Sequence, residues 1–246
     1  MAKGKGILQV KGTLNGLNFY VLDGKQVVRT AGGGFNSTAI KTKDSMVRVR
    51  ENGSEFKTCM RCVALFKKAL QPYLNVLKDN KLHQRLVSLF AKLKSLDAIS
   101  ERGTRHFVKG LQTPAGKKLF TGFVLTNGKS LLAILRDNYS FSFANGLLLS
   151  TYTGKKLFQD TNATHFELVL RYISIDLESE GYSFVSSDSI FLDKNFSGDV
   201  TLSLSSPAIS NGVVVAVVIG RFFQEVNGKF FGLENGVIEV VDVKYN

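Results

Sequence analysis

Tryptophan is absent from this chain of 246 residues, and cysteine, histidine and proline are scarce, at two, three and three copies. Cys59 and Cys62 cannot make the disulfide framework of a small secreted domain. The three histidines, His83, His106 and His165, lie far apart, so Cys59-Met60-Arg61-Cys62 lacks the two further ligands a structural zinc site needs. It also lacks the βαβ setting of a redox pair, and packing of Cys59 and Cys62 in a helical core is the expectation. Long apolar runs are missing too. Val213–Ile219 is closed by Gly220 and Arg221, far short of the ~20 residues of a membrane helix. Met1–Gly6 is basic, but Ile7-Leu8-Gln9-Val10-Lys11 breaks off before it makes a signal-peptide apolar region. Cytoplasmic residence is therefore expected, although signal-independent export or incorporation into a virion would leave no mark.

Catalytic signatures are missing as well. Gly116-Lys117-Lys118 and Gly154-Lys155-Lys156 have neither the preceding glycine nor the following Ser/Thr of a phosphate loop. The glycines at 4 and 6 precede a strand rather than a helix, and no nucleophile elbow occurs. No catalytic residue, metal or cofactor is expected. Asp176, Glu178 and Glu180 alternate at strand spacing, read either as an exposed acidic face or as paired carboxylates for a cation or acid–base work. His165 opens a strand, where a turn-stabilising hydrogen bond is expected. Gly-Lys-Lys-Leu-Phe occurs at 116–120 and 154–158, but the flanks do not align, so it is no repeat.

What is present is charge, unevenly placed. Residues 1–150 carry 25 Lys+Arg against 8 Asp+Glu, a net of +17, and residues 151–246 carry 7 against 12, a net of −5. A basic front and a mildly acidic rear suggest two units with different partners.

The front begins as a β-meander. Ile7–Leu14, Leu17–Leu22 and Lys25–Thr30 are separated by Asn15-Gly16 and Asp23-Gly24, turns whose central residues adopt φ > 0. Ala31–Ser37 reads as a flexible connector. Lys41–Arg50 holds four cations in ten positions, a solvated arm or helix flank on one reading and a phosphate- or acid-binding arm on another. From Ser54 the period turns helical, with Cys59, Val63, Phe66 and Leu70 on one face and Pro72 in the first turn of a new helix. Leu82, Leu86, Leu89, Leu93 and Leu96 form a second stripe, and Ser100-Glu101 is expected to cap a further short helix. A helical hairpin or bundle spans about residues 45–112.

After residue 118 the period returns to two. Strands are expected at Phe120–Thr126 (with Lys117–Phe123 helical as the alternative), Leu131–Leu135, Ser140–Phe143, Leu147–Tyr152, Phe166–Ile175, Tyr182–Val185, Val200–Leu204, Val213–Glu225, Lys229–Leu233 and Val237–Val243. Asn227-Gly228 is a third hairpin turn. Val213–Phe223 should be central in its sheet, because an exposed edge of that composition would aggregate.

Several segments carry a resemblance: Met1–Leu8, Gly12–Tyr20, Arg50–Phe56, Asn162–His165 and Phe223–Gly228. Together they resemble a family of uncharacterised proteins from Bacteroidetes-type bacteria. The resemblance covers most of the chain and implies a lineage, with no activity and no site residues.

The expected fold is α+β, with an N-terminal β-meander, a central helical hairpin or bundle and a C-terminal antiparallel β-sandwich. Two domains are expected, 1–112 (basic, meander plus helices) and 113–246 (sandwich). The functional expectation is a non-enzymatic structural or interaction protein acting through self-assembly or a larger complex. Opposite charge at the two ends would pair copies head to tail. The alternative is a basic accessory protein that binds nucleic acid or a ribonucleoprotein through residues 41–105. The candidate polyanion or partner-binding set is Lys41, Lys43, Arg48, Arg50, Lys78, Lys81, Arg85, Lys92 and Lys94. No zinc finger, RNA-reading aromatic strand or GXXG loop accompanies it.

Overall fold

The computed structural model describes residues 2–3, 10–31, 36–136, 139–151, 156–160, 162–176, 181–205 and 212–245. Glu178, Glu180, residues 32–35 of the expected connector, and 7–9 of the expected first strand lie outside them. The chain divides into two units, Met1–Gly53 and Ser54–Asn246.

In the first unit β1 (Ala2–Lys3), β2 (Gly12–Leu14), β3 (Leu17–Leu22) and β4 (Lys25–Thr30) form an antiparallel sheet in the order β1-β4-β3-β2. The hairpin turns have the backbone their sequence demands, with φ of 48° and 76° at Asn15 and Gly16 and of 50° and 74° at Asp23 and Gly24. Strand pairing puts Leu14, Leu17, Phe19, Val21 and Val28 on one face, and none of them is buried. Helix α1 (Ser37–Thr42) starts at Asn36, whose side chain accepts from the Ala39 N–H at 2.6 Å. A 3₁₀ turn at Asp44–Met46 leads into α2 (Val47–Ala69), which begins before the expected Ser54 and runs through the boundary between the units.

The second unit continues with α3 (Gln71–Leu74), α4 (Leu82–Ser95), α5 (Phe107–Leu111), α6 (Pro114–Phe120) and α7 (Leu131–Leu135). The strands follow: β5 (Tyr139–Ser142), β6 (Gly146–Thr151), β7 (His165–Asp176), β8 (Tyr182–Ser186), β9 (Ile190–Asp193), β10 (Gly198–Leu202), β11 (Gly212–Val226) and β12 (Lys229–Tyr245). The large sheet runs β12-β11-β7-β8, with β9 also on β7, and a small sheet runs β10-β6-β5. β11 is therefore interior, as its composition requires.

Two cores flank the large sheet, and strand alternation sorts its residues between them. Val213, Val215, Val217 and Ile219 of β11 join Phe66, Leu70, Leu86, Phe90, Leu93 and Phe120 of the helices. Val214, Ala216, Val218 and Phe222 join Leu135 of α7 and Leu147, Leu149 and Leu202 of the small sheet. The result is three layers: helices, large sheet, small sheet. The expected boundary at 112/113 falls inside the helix-side core, which takes residues from both sides of it. The basic helical layer and the acid-bearing strands thus share one unit, and Lys117 pairs with Asp242 at 2.9 Å.

Four local expectations are corrected. Phe120–Thr126 is no strand: Thr113 caps α6 by accepting from the Gly116 N–H at 3.0 Å, Pro114 sits in the first turn, and only Val124 bridges to Glu239. Leu131–Leu135 is the helix α7, because an unbroken apolar run has no period and Ser130 decides it by capping the Ala133 N–H at 3.2 Å. Ser100 and Glu101 start no helix; α5 begins at Phe107, with the His106 ring accepting from the Val108 N–H. Lys229–Leu233 and Val237–Val243 are one strand, whose pairing with β11 slips between Arg221 and Phe223. β9 was not expected. It pairs Asp193 with His165 and Leu192 with Phe166.

Candidate functional site

The cations singled out in the sequence have divergent roles. In the first unit Lys41 and Lys43 are exposed, and Arg48 pairs with Glu51 one turn on at 3.0 Å. Arg50 donates to the carbonyl oxygens of Ile40 (2.7 Å) and Lys43 (3.0 Å), fastening α2 to the end of α1. In the second unit Lys94 leaves the expected stripe and reaches back to Glu55 at 2.6 Å. Glu55 is buried and also accepts from the Gly103 N–H at 2.8 Å; burial alone would raise its pKa, but these partners hold it below the ordinary range. Arg85 pairs with Asp79 at 2.6 Å and donates to the Val124 carbonyl oxygen. Lys78, Lys81 and Lys92 remain exposed. Lys78, Lys81 and Arg85 line an open cleft of about 460 Å³ with Asp79, Asn80 and Thr126. Lys81, Arg85 and Lys92 border an adjoining groove with Leu119 and Phe123.

Cys59 and Cys62 are buried on α2 and unpaired by disulfide, with burial pushing the Cys59 thiol pKa up. Among the described residues no group of three or more His, Cys, Asp or Glu is arranged to hold a metal ion. A small cleft of about 260 Å³ opens between α7 and β12, with Ile134, Phe158 and Phe222 as apolar floor. Its Asp160 is engaged by the Asn162 and Ala163 N–H groups and by the Asn235 amide.

The most distinctive surface is one the sequence reading missed. Odd positions of β7 and β11 face the helices, and the same alternation continues beyond the helical layer through His165, Glu167, Arg221, Phe223 and Glu225. β9 adds Phe191 and Asp193 to this face, and β12 adds Phe230 and Gly232. No helix covers it. Phe191 and Phe230 are 44 % and 49 % exposed, and their rings lie 5.7 Å apart. Phe191 also meets Phe223 at 5.1 Å, and His165 meets Phe230 edge-on at 4.8 Å. Gly232 keeps the floor open, because a Cβ there would come within 3.0 Å of the Arg221 guanidinium.

Carboxylates border the aromatic rings. The His165 ring has Asp193 at 4.0 Å on one side and Glu225 at 3.9 Å on the other. Its Nδ1 meets the Thr164 hydroxyl at 2.9 Å, and that oxygen accepts from the Glu225 N–H at 2.8 Å. His165 thus bonds the side chain of its neighbour, and it is Thr164 that ties the start of β7 to β11. The Thr164 hydroxyl is occupied by backbone partners, and both carboxylates stand beyond hydrogen-bond distance of the ring. The arrangement is suited to contact with an apolar, cationic surface. The adjacent aromatics Phe230-Phe231 beside the Asn227-Gly228 turn were the one sequence sign of it.

No family model, curated protein or solved structure matches this chain.

Proposed function

We propose that this chain is a non-enzymatic interaction protein, acting through self-assembly or as part of a larger complex. The uncovered aromatic end of the large sheet carries the reading. Exposed phenylalanines that stack on one another and are rimmed by charge are the usual composition of a protein contact site. The opposed charges of front and rear lend it less support, because the basic helices already pair with the acid-bearing strands inside one unit.

A second reading has its own support. Lys78, Lys81 and Arg85 gather around one cleft, a footprint for phosphate on a basic accessory protein of nucleic acid or a ribonucleoprotein. Native mass by light scattering in low and high salt, together with ultraviolet absorbance for bound nucleic acid, separates the two. A discrete multimer free of nucleic acid is the expected result. A monomer that carries nucleic acid and sheds it steeply with salt would favour the second reading, and a nucleic-acid-free monomer would remove both.

A further inference from the structure

We infer that the aromatic end of the large sheet in one copy seats in the groove beside α4 of a second copy. This contact rests on the assembly reading above and names its two surfaces, both of which belong to the second unit. The groove, of about 530 Å³, carries apolar and cationic groups together. Lys81, Arg85, Ser88 and Lys92 follow at four-, three- and four-residue spacing and so share one side of α4. Leu119 and Phe123 face them across the groove, and Leu119 is 42 % exposed.

Charge selects the pairing. Residues 54–129 carry fifteen Lys and Arg against four acids. Glu55 and Asp97 are buried, and Asp79, its side chain 5 % exposed, is held by Arg85. Glu101 is left as the one exposed acid among these described residues. The aromatic end has the opposite balance, on the same face as its rings. Glu225 stands directly across from Phe230, and Asp193 lies two residues along β9 from Phe191. The side chains of Asp193 and Glu225 are 54 % and 41 % exposed. The cations nearby do not cancel them. Arg221 is matched by Glu167 at 3.7 Å, and Lys194 is bonded to the Asp160 and Ala163 carbonyl oxygens. Lys229, opposite Val226, alternates to the other face of the sheet.

Groove on groove would oppose cations, and sheet end on sheet end would oppose carboxylates. Sheet end on groove joins the rings to Leu119 and Phe123, and the carboxylates to Lys81 and Lys92. The two patches are different parts of the surface, so the contact is heterologous and builds rings or open chains.

The test uses the full chain in sedimentation velocity across a concentration series, with one variant for each surface. Phe230→Asp spoils the sheet end, and the double variant Lys81→Glu/Lys92→Glu spoils the groove. The wild type should grow in mass with concentration, and each variant alone should associate at least tenfold more weakly. Mixed one to one, they should form a dimer and stop, because each supplies the surface that the other has lost. Circular dichroism and thermal midpoint report folding, and Phe230→Ser or Lys81→Gln/Lys92→Gln replaces a variant that fails to fold. A mixture that stays monomeric overturns the contact. A wild-type multimer broken by only one of the two variants assigns that surface another occupant and overturns it as well. A multimer insensitive to both overturns the contact and leaves the assembly reading standing, whereas a wild-type monomer at every concentration removes both.

Discussion

The guanidinium of Arg171 donates to the carbonyl oxygen of Ala69 at 2.6 Å, bonding β7 to the last residue of α2. Helix-end carbonyls have no partner within their own helix, and a buried one without a partner is costly. The same guanidinium donates through Nε to the Ser186 hydroxyl at 2.8 Å and lies over the rings of Phe184 (4.2 Å) and Tyr73 (4.9 Å). One buried cation thereby joins α2, α3, β7 and β8.

Arg171→Leu should destabilise the protein by about 2–3 kcal/mol, the range for charge-assisted hydrogen bonds whose partners are left buried. Arg171→Lys should recover less than half of that, because an ammonium lacks the planar fork that reaches both oxygens while stacking. Urea denaturation midpoints measure both. A shift within 0.5 kcal/mol for Arg171→Leu would show that this junction is held by packing alone.

Asp97 organises the loop between α4 and α5. Its carboxylate accepts from the N–H groups of Ile99 (3.1 Å), Ser100 (3.0 Å) and His106 (2.9 Å). Burial would raise its pKa, but these donors outweigh burial and hold it at about 2. A depressed acid stabilises the fold above its unfolded-state pKa and loses that contribution as pH falls towards the folded-state value. Acid unfolding should therefore include a component that persists down to about pH 2 in the wild type and vanishes in Asp97→Asn, whose midpoint at neutral pH should drop by about 1–2 kcal/mol.

Glu239 behaves oppositely. It is buried beneath α7, where it accepts from the Leu131 N–H at 2.6 Å, and burial raises its pKa despite that bond. A raised acid weakens the fold as pH climbs from the unfolded-state pKa to the folded-state one. Glu239→Gln keeps an acceptor for Leu131 without a charge. It should leave stability little changed in acid and raise it by about 1 kcal/mol near neutrality. A denaturation series over that pH range checks it, and an equal effect at every pH would contradict the assignment.

Gly110 lets α5 lie against the end of α4, since a Cβ there would stand 1.7 Å from the Leu93 carbonyl oxygen. The obstructing atoms are all Leu93 backbone, so no rotamer change relieves the clash. Gly110→Ala should cost about 3 kcal/mol or more, above the usual range for an overpacked side chain. Gly53→Ala, which meets nothing within 4 Å, should be neutral or slightly stabilising because it sits inside α2. Thermal midpoints of the two variants test the contrast.

Local chemistry made much of this architecture legible in the chain. Asn-Gly and Asp-Gly dictate their turns because so few residues tolerate φ > 0, and the leucine stripe of α4 and the interior position of β11 follow from periodicity and apolar content. The sequence could not tell what Leu131–Leu135 would become, since five apolar residues suit a buried strand or a short helix and a cap decides. Nor could it say where Arg85 and Lys94 would point, because apart from Asp79 beside Arg85 their partners lie 39 residues or more away along the chain, at Val124, Thr126 and Glu55. Periodicity reveals that a strand has two apolar faces, but not how far a covering layer extends. Only the packing of the helices over β7 and β11 decided that the face around Phe191 and Phe230 stays bare, because the long hairpin outruns the helices that cover its base.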